Sequence, residues 1–515
     1  MWSAVFRTDA SAMIGIGHVV RCLTLANSLR ERGAKVSFVC REHSGHLCEL
    51  IEAQDFSVSR LPAPSRVTLA EGSLGHAAWL EGWLEDSEQT RTAVVALGEK
   101  PDWLVVDHYG LDQRWENAMR ASVGRIMAID DLADREHDCD LLLDQNLVAR
   151  MYERYVGKVP TTCGLLLGPE YALLQPAYAE LHDQIPPRKG PIRRILIFFS
   201  GADRDNWTGR TLSNFLQLNR PNIEVDVVIG TGGPHAESIR RQVAGHENIH
   251  LHSDLPTLAA LMAAADLAIG AGGATSWERL CLGLPTLVIT LADNQRPIAA
   301  ELEKQSLIHW LGHHDVVSAA AVGKAIDEQI ERGSDEEWSL RCFAAVDGRG
   351  VSRVCTSLIV KADAPLQARN ARVEDEALLL TWANDPITRS NAFSSEPIPA
   401  ATHRSWFHSR LGNPEGCRLY IVETSDCVAL GQVRFERREQ AWEVDYALAP
   451  AFRSRRLGRS LLETALQQLR LDLPGVLIFG RVKVGNRSSR RVFESLGFET
   501  RREDRSGAVE YCRAL

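Results

Sequence analysis

Two long stretches of this chain follow one grammar: a short apolar run, a glycine-bearing loop, a helical pattern, another apolar run. In the first, 2–7 reads as strand, 9–17 as loop, 18–32 as helix and 35–40 as the next strand. Runs that do not alternate polar with apolar residues are strands covered on both faces, and 103–106, 126–129 and 165–167 continue the pattern. The segment 184–193, with Pro186, Pro187 and Pro191 among Arg, Lys and Gly, suits neither a helix nor a central strand and reads as a linker. Beyond it, 195–199 (leading into Ser200 and Gly201), 225–229, 267–269 and 286–290 restart the grammar. Such a chain is confined to parallel sheets wrapped by helices. Two doubly wound domains facing each other would form a cleft floored by the carboxyl ends of their strands. From about 335 to 367 the periodicity weakens; afterwards helix mixes with antiparallel strand, including a hairpin from 431–436 and 442–448. At 515 residues there is room for three domains, placed at 1–185, 193–340 and 366–515.

Composition narrows the function. With 45% apolar and 24% charged residues, the chain is an ordinary globular one rather than disordered or fibrous. Its formal charge of −9 argues against nucleic acid as the main partner. The balance is uneven: 366–515 holds 23 Lys and Arg against 19 Asp and Glu, net +4, leaving −13 for the first 365 residues. Two unlike modules are implied. Eleven cysteines without a CxxC pair, and a start with no cationic n-region before an apolar run, favour the reducing cytosol and a cytoplasmic location. The most weakly charged stretch, 255–274, is broken by Pro256, Asp266, Gly270, Gly272 and Gly273, so no membrane span is expected.

Gly15, Gly17 and His18 sit between the first strand and the first helix, where backbone amides and the positive helix end gather. A dinucleotide fingerprint needs a third glycine where Val20 stands, so a nicotinamide cofactor is disfavoured. A histidine at a helix start is held neutral and suits a general base, although it can equally serve as a backbone-bonded helix-start residue. Asp107 and Tyr109 follow a strand and are candidates for sugar contacts or for supporting roles. The acidic run Asp130, Asp131, Asp134, Asp138 and Asp140 with His137 contains a DxD triplet, but it is short, and capping or surface roles are preferred to metal binding. In the second half, 270–276 joins a strand to a helix, a geometry that suits a pyrophosphate: Gly272 and Gly273 allow close approach, and Thr275 and Ser276 add hydroxyls. Asn294 and Gln295 lie at another strand-to-helix junction, as candidate contacts to nucleotide or sugar.

The blocks RTDASAMIGIGHVVRCLTLA, VVDHYGLDQRWE, IDDLADREHDCDLLLDQN, GPEYALL and FFSGADRDN, read together, resemble the UDP-sugar hydrolases of pseudaminic acid biosynthesis, and the resemblance covers about the first 345 residues. Those enzymes release UDP from UDP-2,4-diacetamido-2,4,6-trideoxy-β-L-altropyranose. The resemblance implies an α/β fold with two Rossmann-like domains in the glycosyltransferase B arrangement, His18 as the catalytic residue and no metal. It implies UDP held by Gly272, Gly273, Thr275, Ser276, Glu278 (on the ribose) and Asn294. Gly17, Asp107, Tyr109 and Gln295 are then expected near the sugar.

After residue 366 the segments 451–460 and 486–498 resemble the pyrophosphate loop and last helix of GCN5-related N-acetyltransferases (GNAT), which implies a C-terminal α+β acetyltransferase domain using acetyl-CoA. Arg453, Arg456, Gly458, Arg459, Ser460 and Asn486 are then its contacts. Arg456 replaces a glycine, tolerable where that backbone has negative φ. Phe493 stands where many relatives carry a tyrosine that protonates the leaving thiolate. Trp382, Asn384 and Asp385 are expected on the acceptor side, with Glu443 and Asp445 as candidate proton acceptors. The combined expectation is a bifunctional enzyme: hydrolysis of the UDP-sugar, and 4-N-acetylation of its UDP-amino-sugar precursor. Its partners are small molecules, UDP-sugar and acetyl-CoA. A glycosyltransferase of the same fold, or a UDP-sugar binder with a degenerate acetyltransferase domain, remain the alternatives.

Overall fold

The computed structural model describes residues 2–11, 15–63, 82–200, 203–230, 233–253, 255–360, 363–453, 455–503 and 508–515; Gly201 and Ser454 lie outside the described residues. The chain forms two compact units, Met1–Glu136 with Leu143–Val156 and Leu166–Val351, and His137–Leu142 with Gly157–Leu165 and Ser352–Leu515.

The first sheet contains β1 (Ser3–Thr8), β2 (Lys35–Arg41), β3 (Ser57–Leu61), β4 (Trp103–Asp107), β5 (Arg125–Ile129), β6 (Leu141–Asp144) and β7 (Gly164–Leu167), in the order β3-β2-β1-β4-β5-β6-β7. Its strands are apolar runs such as WLVVD, every residue of which is buried, because helices cover both faces and no face remains for polar alternation. β1 pairs in parallel with β2 on one side and β4 on the other. The strand order therefore reverses between β1 and β4, where the carboxyl ends of an α/β sheet open a crevice. Helix α1 (Gly17–Glu31) leaves β1 at that crevice.

The second sheet holds β8 (Arg194–Phe198), β9 (Glu224–Val228), β10 (Ile249–His252), β11 (Leu267–Ala271), β12 (Thr286–Thr290) and β13 (His309–His313), ordered β10-β9-β8-β11-β12-β13. All five pairings are parallel, with the reversal between β8 and β11. Alternate residues feed two cores: Ile195, Ile197, Val225, Ile269 and Ile289 on one face, and Leu196, Val228, Ala268 and Val288 on the other. Burial of each such side chain contributes roughly 1.5–3 kcal/mol. Gly270 is obligatory: a Cβ there would collide with the Phe198 carbonyl and stand 2.7 Å from the Arg279 guanidinium.

Where the sequence periodicity weakens, the structure has helices, Glu336–Ala345 and Gly350–Ile359. Trp338 of the first is buried and donates from Nε1 to the Leu307 carbonyl at 2.8 Å. Gly348, at φ +75°, makes the left-handed turn between the helices and breaks the pattern.

The second unit carries β14 (Leu366–Asn370), β15 (Cys417–Thr424), β16 (Ala429–Arg438), β17 (Ala441–Leu448), β18 (Leu477–Lys483), β19 (Glu499–Glu503) and β20 (Ala508–Ala514), ordered β14-β15-β16-β17-β18-β20-β19. β16 and β17 form the expected hairpin. The pairing of β17 with β18 is parallel and runs only from Ala441↔Leu477 to Glu443↔Phe479. From Val444 to Leu448 the two strands part, just before the helix Leu457–Asp472.

Candidate active site

His18 lies in the first turn of α1, at the carboxyl end of β1, and Asp107 is the last residue of β4 beside it. His18 is 8% exposed, and its Nδ1 stands 2.6 Å from Asp107 Oδ1. A carboxylate only accepts, so Nδ1 carries the proton and the lone pair is on Nε2. This is the arrangement of an oriented general base. Gly17 itself is exposed, and among the described residues a Cβ there would meet nothing within 4 Å.

Asp107 is fully buried, and Oδ1 also accepts from Arg21 Nη2 at 2.6 Å while Oδ2 accepts from Arg21 Nε at 2.6 Å. Burial alone would raise its carboxyl, but the charges of Arg21 and His18 outweigh that and hold it well below the usual range. Of the two expectations for Asp107, the geometry fits the supporting one: it is fully buried, and its oxygens are taken by His18 and Arg21. Tyr109 presents its ring edge to the histidine, with centroids 4.5 Å apart at 82°, and donates its hydroxyl to Asp131 Oδ2 at 2.7 Å.

Asp131 also accepts from Arg21 Nη1 at 2.7 Å and from Asn146 Nδ2 at 3.0 Å. Asn146 passes the network to Asp144, which meets Arg154 and the Tyr155 hydroxyl; burial pushes the Asp144 carboxyl up to about 6. Arg21 and Asp131 escaped the sequence reading. Arg21 offers a signal, a basic residue one turn beyond His18 on a helix otherwise largely buried. Asp131 belongs to an acidic run assigned to caps and surface. Among the described residues, no group of three His, Cys, Asp or Glu is arranged to hold a metal ion.

In the second sheet the helix after β11 begins at Thr275, so Thr275, Ser276 and Glu278 share its first turn. Gly272 packs closely, a Cβ there lying 3.1 Å from Thr290 Cγ2, and Gly273 is more open. Ser276 is 2% exposed; its amide donates to the Gly273 carbonyl and its hydroxyl accepts from Arg279 Nη2 at 3.1 Å. The Ser276 amide therefore serves the turn, and its O–H is the donor left for a ligand. Glu278 is partly buried beside the Tyr178 hydroxyl, and burial raises its carboxyl above the ordinary value. Gln295 accepts from the Leu291 amide at 2.8 Å and shapes the turn that exposes Asn294. A cavity of about 640 Å³ is lined by Val148, Arg150 and Arg154 and by Pro297, Ala300 and Lys304; none of the residues assigned to UDP lines it.

In the second unit, Arg456 has φ +62°, so the condition of negative φ is not met: the residue occupies the left-handed conformation that favours glycine. Arg453 pairs with Asp385 at 2.6 Å and donates to the Thr388 hydroxyl at 2.9 Å. Gly458 lies against Val492, and exposed Arg459 pairs with Glu463 within the helix that also carries Ser460. Asn486 caps the next helix, accepting from the Ser489 amide at 3.2 Å. Trp382 is 5% exposed within the core, and both polar atoms of Asn384 bond the Ile398 backbone, so their expected acceptor contacts are corrected to scaffold roles. Glu443 accepts from Arg438 and Arg481, while Asp445 is exposed. Phe493 is 2% exposed, between Phe498 and Tyr511, with the Tyr446 ring 6.0 Å away.

Comparison with known proteins fits this anatomy. Residues 208–333 match the Glycosyltransferase family 28 C-terminal domain, and residues 366–499 match the Acetyltransferase (GNAT) domain. The UDP-2,4-diacetamido-2,4,6-trideoxy-beta-L-altropyranose hydrolase of Campylobacter jejuni is 25% identical over 302 residues, covering 58% of this chain and 96% of that protein. An uncharacterized protein of Methanocaldococcus jannaschii is 21% identical over 514 residues, 98% of each chain. The spore coat polysaccharide biosynthesis protein SpsG of Bacillus subtilis is 29% identical over 153 residues, 29% of this chain and 44% of that protein. Among solved structures, Medicago truncatula UGT71G1 complexed with UDP-glucose superimposes with a TM-score of 0.50 at 12% identity, over 69% of this chain and 98% of that one. The chain thus joins a glycosyltransferase-B-like region related to the UDP-diacetamido-trideoxy-altropyranose hydrolase to a C-terminal acetyltransferase domain of the GNAT type.

Proposed function

We propose that the first unit hydrolyses a UDP-linked diacetamido-trideoxy sugar, and that the acetyltransferase domain uses acetyl-CoA to install the 4-N-acetyl group on the UDP-amino-sugar precursor. The observation that carries the hydrolytic half is the 2.6 Å contact between His18 Nδ1 and the buried Asp107 carboxylate, which leaves Nε2 as the base. Water attacks the anomeric carbon and gives its proton to Nε2; the carbon–oxygen bond to UDP breaks, and UDP departs with the electron pair. Amides and hydroxyls near Gly272, Gly273 and Thr275 would meet the charge growing on the diphosphate, with Glu278 and Asn294 as further nucleotide contacts. The similarity to the Campylobacter jejuni hydrolase over 96% of its length supports this reading.

For the second half, the substrate amine attacks the thioester carbonyl, the carbon–sulfur bond breaks, and the proton lost from nitrogen ends on the departing sulfur, so that CoA leaves as the thiol. The parted strands β17 and β18 beside the helix that starts at Leu457 offer a slot suited to an extended thioester arm. Incubating the full chain with the UDP-4-amino sugar and acetyl-CoA, and identifying the products by mass, tests both halves. We expect free diacetamido sugar, UDP and CoA in equal amounts. Sugar transferred intact to an added acceptor, or CoA release only with a peptide, would refute the corresponding half.

A further inference from the structure

We propose that Arg21 is the positioning residue of the His18 base: its guanidinium locks the carboxylate that orients the ring. The inference rests on the hydrolytic reading and adds a residue to it.

Arg21 projects from the turn of α1 that follows His18 and grips both oxygens of Asp107, through Nε and Nη2, at 2.6 Å each. A carboxylate held by such a fork cannot rotate, so the bond to Nδ1 keeps one geometry. The third nitrogen reaches Asp131 at 2.7 Å, and Asp131 accepts from the hydroxyl of Tyr109, whose ring packs at 82° to His18, so the network returns to the ring.

Among the described residues, Asp107 and Tyr109 from the end of β4 and Arg21 from its own helix meet the ring, and Asp131 is linked to it through Arg21 and Tyr109. Arg21 spends Nε and Nη2 on Asp107 and Nη1 on Asp131, so it acts through these carboxylates rather than on substrate.

Two variants separate charge from geometry. Arg21→Lys keeps a cation but not the fork, and Arg21→Gln keeps neither. Both should lower kcat for sugar release by about tenfold or more, because the ring loses its fixed orientation, while KM stays within about threefold and the melting temperature shows a folded protein. At one pH, the 13Cε1 signal of His18, assigned by its loss in His18→Asn, should shift or broaden in both variants. Wild-type kcat in Arg21→Lys, or an unchanged His18 signal in both variants, overturns the inference. If wild-type protein releases no sugar from the UDP-sugar, the hydrolytic reading fails, whereas the His18 signal still decides whether Arg21 positions the ring.

Discussion

His18→Asn should lower kcat for sugar release by about 10³-fold, within the range that general-base catalysis supplies, while UDP affinity stays within about threefold of wild type. The side-chain amide of asparagine can still donate to Asp107, so the buried carboxylate keeps a partner and the loop keeps its shape. What disappears is the basic nitrogen. The nucleotide contacts assigned to the second sheet lie on a different element, which is why binding should survive. Stopped assays with the UDP-sugar, together with UDP titration by calorimetry, measure both quantities. Turnover within tenfold of wild type would show that His18 is a helix-start histidine and not the base.

Arg188→Met should destabilise the protein by about 3–5 kcal/mol, the consequence of leaving several buried carbonyls without a charged donor. Arg188 is 6% exposed and sits in the proline-rich linker. It donates to the carbonyls of Met262 at 2.8 Å, of Ala263 and Ala265 at 3.3 Å, and of Leu282. These carbonyls terminate the helices Ala259–Ala264 and Thr275–Cys281, where unpaired oxygens and the negative helix end favour a cation. Burial pulls the guanidinium down to about 10, still far above neutrality, so it stays charged under ordinary conditions. The second helix carries Thr275 and Glu278 in its first turn, and UDP affinity should weaken along with stability. Urea denaturation followed by circular dichroism gives the loss, and Arg188→Lys should recover part of it. A Met variant within about 1 kcal/mol of wild type would mean that water or backbone shifts replace the clamp.

The parallel sheets were legible because strands buried on both faces are written as apolar runs. The runs at 103–106, 126–129 and 286–290 became β4, β5 and β12 with at most one residue added at either end. The acetyltransferase sheet was less so: β18 reads LIFGRVK, mixing Arg481 and Lys483 into a strand with one face accessible. In the site, His18 was visible from its place at a helix start. Its network was not, since Arg21 meets Asp131 across 110 residues and only the folded order of β1, β4 and β5 brings them together. Trp382 and Asn384 illustrate the opposite difficulty: a tryptophan and an asparagine on a short helix look like ligand contacts until packing assigns one to the core and the other to a loop backbone.

The central claim, that water attacks the anomeric carbon beside His18, is tested most directly by hydrolysing the UDP-sugar in water enriched in heavy oxygen and weighing both products. The account predicts the label in the released sugar alone. Label in UDP would place the attack at phosphorus and contradict it.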